Sequence, residues 1–178
     1  SILNHVIFSN FYLQPDLRLN KTGSLTFYES PVEIRFCKFF DNNSEDALNI
    51  IRSDFIIENT IFSRNAFDAF DADFCSGVIN NSKFYYCGND ALDFSGSNIE
   101  INNIFISNVL DKGVSIGENS NVSGTEIQIS NSRMGLVSKD MSFLNIQNVK
   151  IDSTEIAFSV FQKKSEFGPA KIEARYIQ

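Results

Sequence analysis

The sequence predicts an all-β fold, a parallel β-helix (solenoid) of about seven coils, each with about 22 residues and three short strands. One small residue recurs every 22 positions without a slip, at Ala47, Ala69, Ala91, Gly113, Gly135 and Ala157. The segments between bends are rich in β-branched and aromatic residues, which argues against helical repeats. A repeat of this length is too short for a four-stranded propeller blade, and the leucine-rich repeat pattern is absent.

One strand of each repeat starts at this small residue and alternates between two faces. Its apolar face carries Leu48, Phe70, Leu92, Val114, Leu136 and Phe158, followed by Ile50, Ala72, Phe94, Ile116, Ser138 and Val160. Its opposite face carries Asn49, Asp71, Asp93, Ser115, Val137 and Ser159. Because residues of one parity share a strand face, we expect the first set inside and the second set on a wetter outer surface.

Two further strands complete each repeat. The second contains Ile57, Ile79, Ile101 and Ile146, and the third contains Phe40, Phe62, Phe84, Ile106, Ile129 and Ile151. At the bend between them, a buried ladder of side-chain amides is expected from Asn59, Asn81 and Asn103. Replacing Asn81 by Leu is accordingly predicted to impair folding.

The length of 178 residues predicts a single domain over 1–178. Within it we expect an enlarged first coil at 1–31, regular coils at 32–160, and an enlarged last turn with the start of a further coil at 161–178. Solenoids need caps at both ends, and none is visible in the sequence. The sequence is therefore expected to be a piece of a longer chain.

Composition narrows the function classes. With 15 basic and 22 acidic residues and a net charge of −7, a nucleic-acid-binding surface is not expected. No apolar run is long enough to span a membrane. The spacing of Cys37, Cys75 and Cys87 fits no zinc or redox motif, so these are expected to be buried free cysteines, although the sequence leaves their redox state open.

The coils resemble the right-handed parallel β-helix superfamily that includes pectate lyases, polygalacturonases and alginate-modifying enzymes, over almost the whole chain. More specifically, "DKGVSIGENS", "GLVSKDMS" and "FQKKSEFGPA" are similar to uncharacterised β-helix modules of bacterial surface proteins that accompany spore-coat-H-like kinase domains. This resemblance implies a right-handed coil and a location that is extracellular or on the bacterial cell surface.

Stacked acidic residues are the main candidates for chemistry. Asp46, Asp68 and Asp90 lie one period apart, with Lys112 next in the row, and the simplest interpretation is that each carboxylate caps its own turn. The outward row offers another possibility, since its carboxylates could bind calcium. The candidate metal ligands are Asp71, Asp73 and Asp93.

An enzymatic alternative follows from the resemblance, since calcium-dependent polysaccharide lyases of this superfamily combine carboxylates with an Arg or Lys base. The catalytic candidates are then Asp71, Asp93 and Lys112, with Lys139 as another possible base. A lysine base requires a depressed pKa. Polygalacturonase-like hydrolysis is a weaker option, because the paired Asp-Asp and the Gly-His element of that family are absent, as is the Asp-Pro-His-Glu motif of alginate epimerases.

A charged edge in the late coils is a further candidate for ligand binding. It combines Glu118, Lys139, Asp140, Lys163 and Lys164. Such an edge is usually a solvated network of ion pairs, and a polar groove for a sugar or a neighbouring domain is the alternative. A sugar-binding module should also expose an aromatic ring, for which the candidates are Tyr12, Tyr28 and Tyr86.

Taken together, the sequence favours a non-catalytic carbohydrate-binding or scaffolding module of a larger bacterial surface or secreted protein. The expected partners are a polysaccharide or neighbouring domains of the same chain. The alternative is a polysaccharide lyase or glycoside hydrolase that acts on an acidic polysaccharide. A regular ladder predicts the first function, whereas carboxylates and a base that converge in a cleft predict the second.

Overall fold

The computed structural model describes residues 1–12 and 23–178, and it shows strands, bends and turns but no helix among them. The predicted all-β class is confirmed. The predicted enlargement of the first coil falls partly on 13–22, outside the described residues. The strands are β1 (Ile2–Asn4), β2 (Ile7–Ser9), β3 (Gly23–Tyr28), β4 (Val32–Arg35), β5 (Lys38–Phe40), β6 (Asp46–Ile51), β7 (Asp54–Glu58), β8 (Ile61–Ser63), β9 (Asp68–Asp73), β10 (Ser76–Cys87), β11 (Leu92–Ser95), β12 (Asn98–Gly117), β13 (Asn121–Lys139), β14 (Phe143–Asp152), β15 (Ile156–Phe161) and β16 (Lys171–Ile177).

The strands stack into three parallel ladders, one for each predicted strand of the repeat. The first ladder contains β1, β4, β7, β16 and the first parts of β10, β12, β13 and β14; the second contains β2, β5, β8 and the following parts of β10, β12, β13 and β14; the third contains β3, β6, β9, β11, β15 and the last parts of β12 and β13. Asp54 pairs with Ser76, and Ser76 with Asn98, which is the predicted spacing of 22 residues. About six such turns follow the coil of β1, β2 and β3, so a parallel β-solenoid is confirmed.

The interior is a continuous apolar core along the coil axis. The predicted inward residues of the third ladder, from Leu48 through Leu136, are fully buried. In the second ladder, Phe8, Phe39, Phe62 and Phe84 form a column of stacked rings. Successive ring centroids lie 4.6 to 4.9 Å apart, close to the spacing of neighbouring strands.

The bends between ladders are made by non-glycine residues with positive φ. The bend between the first and second ladders contains His5, Phe36, Asn59, Asn81, Asn103, Glu126 and Asn148; the bend between the second and third contains Asn10, Asp41, Arg64, Tyr86, Asn108, Asn131 and Ser153. A single left-handed residue turns the chain sharply while both flanking strands stay extended, and Asn tolerates this conformation best after Gly. The side chains of these columns point away from the core.

In most of the regular coils the residue after the last positive-φ position of a bend is buried and often carries a hydroxyl. Where the third ladder returns to the first, the backbone N–H groups of Cys75, Ser97 and Ser120 donate to hydroxyls of the next coil, at 2.9, 3.0 and 3.1 Å. The bend after the first ladder repeats this bond, as Thr60 N–H donates to Ser82 Oγ at 3.2 Å. Buried backbone amides are thereby satisfied from one coil to the next.

The predicted buried asparagine ladder is therefore wrong. Asn59, Asn81 and Asn103 are exposed and occupy the positive-φ column itself. The bond from Asn103 Nδ2 to Asn81 Oδ1, at 2.8 Å, lies at the surface. The alternation of apolar residues did not reveal which residue of a bend faces inward, because a left-handed residue shifts the parity of the residues that follow it.

This geometry changes the expected effect of Asn81→Leu. The substitution should lower the free energy of unfolding by only about 1 kcal/mol, the cost of a left-handed Leu at the surface. Ser82→Ala should cost about 2 kcal/mol, because it leaves the buried amide of Thr60 without its acceptor. Urea denaturation of both variants checks the ranking, and a larger loss for Asn81→Leu would contradict the assignment of the ladder.

The three cysteines are buried and free, as predicted. Burial raises the pKa of the Cys75 thiol to about 11 and that of the Cys87 thiol to about 12, so both are unreactive thiols near neutral pH. No helix in the described part of the chain is long and apolar enough to cross a membrane.

Candidate functional site

The outer face of the third ladder carries a polar row that we call the acidic column: Asn49, Asp71, Asp93 and Ser115. These residues come from β6, β9, β11 and β12, and they are direct register partners in successive coils. The predicted stacking of Asp71 on Asp93 is thus present. Because parallel strands are about 4.8 Å apart, the column presents one polar side chain at that interval along the coil axis.

The predicted wetter surface is wrong for half of the row of six residues, since three of them are buried. Asn49 and Ser115 are 2% and 0% exposed, and Val137, the next residue in the row, is also buried. The side chain of Lys139 covers part of this face. Its Cε lies 3.4 Å from the position that a Cβ on Gly117 would take. Its Nζ lies 3.9 Å from Asp93 Oδ1. The Lys139 side chain thus packs along Gly117 on its way to Asp93.

Three buried polar atoms in the acidic column lack a hydrogen-bond partner among the described residues. They are Asn49 Oδ1, Asp93 Oδ1 and Ser115 Oγ. Asn49 Nδ2 does donate to Asp71 Oδ2 at 2.9 Å, while the ammonium of Lys139 is too far from Asp93 for a hydrogen bond. Since buried polar groups are nearly always paired, the column offers hydrogen-bonding capacity to a ligand or to water.

The electrostatics of the column keep one carboxyl protonated at neutral pH. Burial, with the neighbouring charges of Asp73, Asp46 and Asp93, raises the pKa of Asp71 to about 9. Burial and the charge of Asp93 also raise the pKa of Asp73. Asp71 is therefore a hydrogen-bond donor as well as an acceptor at pH 7.

The neighbouring row of Asp46, Asp68 and Asp90 has a mainly architectural function. Asp68 Oδ1 accepts from the backbone N–H of Asp90 and from Asn89 Nδ2, both at 2.7 Å, and Asp90 Oδ1 accepts from the backbone N–H of Lys112 at 3.0 Å. The carboxyls of Asp68 and Asp90 thus cap the following coil and not their own turn, which corrects the sequence interpretation for these two residues. Burial is the main reason that the pKa of Asp68 rises to about 6 and that of Asp90 to about 7.

Lys112 does not meet the condition for a catalytic base. Its Nζ lies 3.3 and 3.4 Å from the two oxygens of Asp90 and also contacts Asp111. Burial alone would lower the pKa of Lys112, but the hydrogen bond to Asp111 and the charge of Asp90 outweigh it and raise the pKa. The lyase scheme needs a depressed pKa, so Lys112 is held as an ammonium ion.

The predicted calcium ligands are not assembled into a metal centre. No group of three or more His, Cys, Asp or Glu side chains among residues 1–12 and 23–178 is arranged to hold a metal ion. Asp71 and Asp93 are register partners, and Asp73 pairs with Ser95. The carboxyls of Asp71, Asp73 and Asp93 thus belong to one polar surface without forming a cation cage.

The late charged edge divides into two parts. Asp140 is buried, and its Oδ1 accepts from the backbone N–H groups of Lys163 and Lys164 at 2.6 and 2.8 Å, so it clamps the enlarged turn that follows β15. The side chain of Lys164 pairs with Glu118, and this hydrogen bond raises the pKa of Lys164. Lys139 belongs with the acidic column through Asp93.

Sequence reasoning singled out the carboxylates but missed the function of their small neighbours. Gly117, along which Lys139 packs, was not identified, although its position two residues after Ser115 places it on the same face. Of the candidate aromatic residues, Tyr12, Tyr28 and Tyr86 are all exposed. Tyr86 also lines a groove between the second and third ladders.

Fold and site together define a parallel β-solenoid with a half-buried acidic column. No known protein family and no curated protein matches the chain. Among solved structures, the chain is similar to the catalytic domain of a GH87 alpha-1,3-glucanase variant in complex with tetrasaccharides, with a TM-score of 0.40 and 10% sequence identity. The match covers 84% of this chain and 46% of that chain, so this protein spans less than half of the glucanase domain.

Proposed function

We propose that this protein is a carbohydrate-binding β-solenoid module that binds a glycan on the acidic column. The single observation that carries the proposal is the row of unpartnered buried polar atoms on Asn49, Asp93 and Ser115. The module belongs, in this proposal, to a larger bacterial surface or secreted protein, where its partners are a polysaccharide and neighbouring domains.

The chemistry of the column suits sugar hydroxyls. The free oxygens of Asn49 and Asp93 accept hydrogen bonds, the Ser115 hydroxyl donates or accepts, and protonated Asp71 can donate. A hydroxyl both donates and accepts, so a chain of hydroxyls can satisfy a row of mixed groups at strand spacing. A rotation of the flexible Lys139 side chain away from Asp93 would expose the Asp93 carboxyl to a sugar hydroxyl.

The charge of the column favours a neutral glycan over an acidic polysaccharide. Asp73 and Asp93 surround Asp71, and burial together with their mutual proximity already makes further negative charge unfavourable. A uronate brought next to them would add like-charge repulsion. A neutral sugar would instead use the same carboxyls as hydrogen-bond partners.

One observation supports a second candidate function, glycoside hydrolysis. Asp71 retains its proton at neutral pH, and Asp93 supplies a second carboxyl one strand away. A protonated acid beside another carboxyl is the arrangement with which glycosidases protonate the leaving oxygen and attack the sugar. In this candidate, Asp71 gives its proton to the glycosidic oxygen, while water supplies the hydroxyl that replaces the leaving group and gives its remaining proton to the Asp93 carboxylate.

Calorimetric titration with a panel of neutral and acidic oligosaccharides tests the binding function. A neutral glycan should bind, and Asp93→Asn should weaken its affinity about tenfold or more, because a hydrogen bond to a charged acceptor is lost. Asp54→Asn, an exposed aspartate at the start of β7 in the first ladder, is the matched control and should leave the affinity unchanged.

Two results would decide against parts of this proposal. Equal affinity of the wild type and Asp93→Asn for every bound glycan would remove the acidic column as the binding site. Release of new reducing ends during incubation, lost in Asp71→Asn, would establish the hydrolase in place of the non-catalytic module.

A further inference from the structure

A surface groove lies at the bend between the second and third ladders, separate from the acidic column. We call it the Tyr86 groove; its volume is about 660 Å³. Its lining residues come from four successive coils. They include Arg64, Asn65, Tyr86, Gly88, Asn108 and Leu110.

Two large side chains project from this groove without being covered. The ring of Tyr86 is in the positive-φ column and is 59% exposed, and Leu110 is 74% exposed. Gly88 brings the backbones of neighbouring coils into contact, because a Cβ there would lie 1.8 Å from the carbonyl oxygen of Ala66. The groove therefore has a backbone floor with an aromatic and an aliphatic side chain at its surface.

A buried amide in the groove lining has an unused donor. Asn65 is 3% exposed, and its Oδ1 accepts from Asn42 Nδ2 at 3.2 Å. Its own Nδ2 has no hydrogen-bond partner among the described residues. The backbone N–H of Gly88 donates to the backbone carbonyl of Asn65. Cys87 therefore takes the next position in the row of Asn42 and Asn65, and its thiol stands where a third side-chain amide would be. The Asn65 amide therefore belongs to the interior side of the bend, beside Asn42, and the polar groups that a ligand in the groove can reach are those of Asn108 and Asn131.

The lining has no uncompensated charge. Arg64 is the only charged residue among the described lining residues, and its guanidinium binds both oxygens of Asp41 at 2.7 and 3.0 Å. The remaining polar groups, on Asn65, Asn108 and Asn131, are neutral amides. This combination suits a neutral ligand that has an apolar face and several hydroxyls.

We infer that the Tyr86 groove binds a neutral pyranose ring. The apolar face of the sugar packs on Tyr86 and Leu110, and its hydroxyls bond to the side-chain amides of Asn108 and Asn131. The inference rests on the proposed carbohydrate-binding function and adds a second subsite with its own residues. Neutrality of the ligand follows from the paired Arg64 and the amide rim.

Tyr86→Ala tests the inference by calorimetric titration with neutral gluco-, galacto- and manno-oligosaccharides, and with oligogalacturonate as the acidic probe. The affinity for the neutral oligosaccharide should fall about tenfold, whereas Tyr86→Phe should retain affinity within about twofold because the ring stays in place. Tyr12→Ala, at another exposed tyrosine, is the matched control and should bind like the wild type. Leu110→Ser provides a second variant, expected to weaken binding about threefold.

The outcomes separate the two proposals. Unchanged affinity in both Tyr86→Ala and Leu110→Ser, with a loss in Asp93→Asn, would overturn the groove and leave the acidic column standing. Binding of oligogalacturonate in preference to every neutral probe, weakened by Tyr86→Ala, would overturn the neutral ligand. No binding of any oligosaccharide to the wild type would overturn both proposals.

Discussion

Replacing Asp71 by Asn is expected to stabilise the folded protein, by about 2 to 4 kcal/mol more at pH 8 than at pH 5. Asp71 is half-buried beside other carboxyls, and its pKa of about 9 in the folded state lies far above that of an unfolded aspartate. The unfolded chain therefore loses this proton first as the pH rises. Asn resembles the protonated acid, can still accept from Asn49, and has no proton to lose.

The sign and the pH range follow from the direction of these shifts. Between about pH 4 and pH 9 the folded protein binds more protons than the unfolded chain, so the free energy of unfolding decreases with rising pH. Asp68 and Asp90 contribute with the same sign, but their contributions end near pH 6 and pH 7. From pH 7 to pH 9, Asp71 is the main remaining member of this acidic group, with a slope of up to about 1.4 kcal/mol per pH unit.

Urea denaturation at pH 7, 8 and 9 measures this slope directly. Asp71→Asn should flatten it, while Asp41→Asn should not, because the bond from Arg64 lowers the pKa of Asp41 and places its titration at acidic pH. Equal slopes for the wild type and Asp71→Asn would show that Asp71 ionises normally. If Asp71→Asn is more stable than the wild type but no longer binds glycan, the Asp71 carboxyl is needed for binding and not for folding.

Phe62→Ala is expected to lower the free energy of unfolding by about 3 to 5 kcal/mol. Phe62 is fully buried, and its ring stacks between Phe39 and Phe84 with centroids 4.6 and 4.9 Å away. Removing it opens a cavity in the middle of the aromatic column and deprives two other rings of a stacking partner. Parallel strands above and below restrict collapse into this space.

The exposed ring of Phe74 supplies the control for this experiment. Phe74→Ala removes the same atoms from the surface and should cost less than about 1 kcal/mol. Phe62→Leu should cost an intermediate amount and remains measurable if Phe62→Ala does not fold. Similar unfolding midpoints in urea for Phe62→Ala and Phe74→Ala would contradict the packing of the column.

The three ladders could be predicted from the sequence because residues that pair in register are separated by a constant number of residues in the chain. Six small residues at one period placed Leu48, Phe70 and Leu92 in register, and the structure pairs them so. The bends were mispredicted because the sign of φ is not visible in an alternating pattern. Asn81 has the amide typical of an interior ladder, yet its left-handed backbone turns the side chain outward and leaves Ser82 to face the core.

The candidate site was predictable only in its register. Asp71 and Asp93 were expected to stack on one face, which follows from the period. The partial burial of Asp93 was not expected, since Lys139, which reaches to 3.9 Å from its carboxyl, comes from a later coil. The capping of Asp90's backbone amide by Asp68 was likewise missed, because the two groups are adjacent in space but one whole coil apart in sequence.

The hydroxyl ladder gives the solenoid a direction. At these bends the amide of the earlier coil donates to the side chain of the later one, and the Ser97 hydroxyl donates both to Ser95 of its own coil and to Ala72 of the earlier one. If the later coil detaches, the earlier coil is left with a buried amide that has lost its acceptor; if the earlier coil detaches, the hydroxyl keeps its own bond. Detaching coils from the C-terminal end should therefore cost more free energy than detaching them from the N-terminal end. The forces needed to unfold the solenoid from its two ends should differ accordingly.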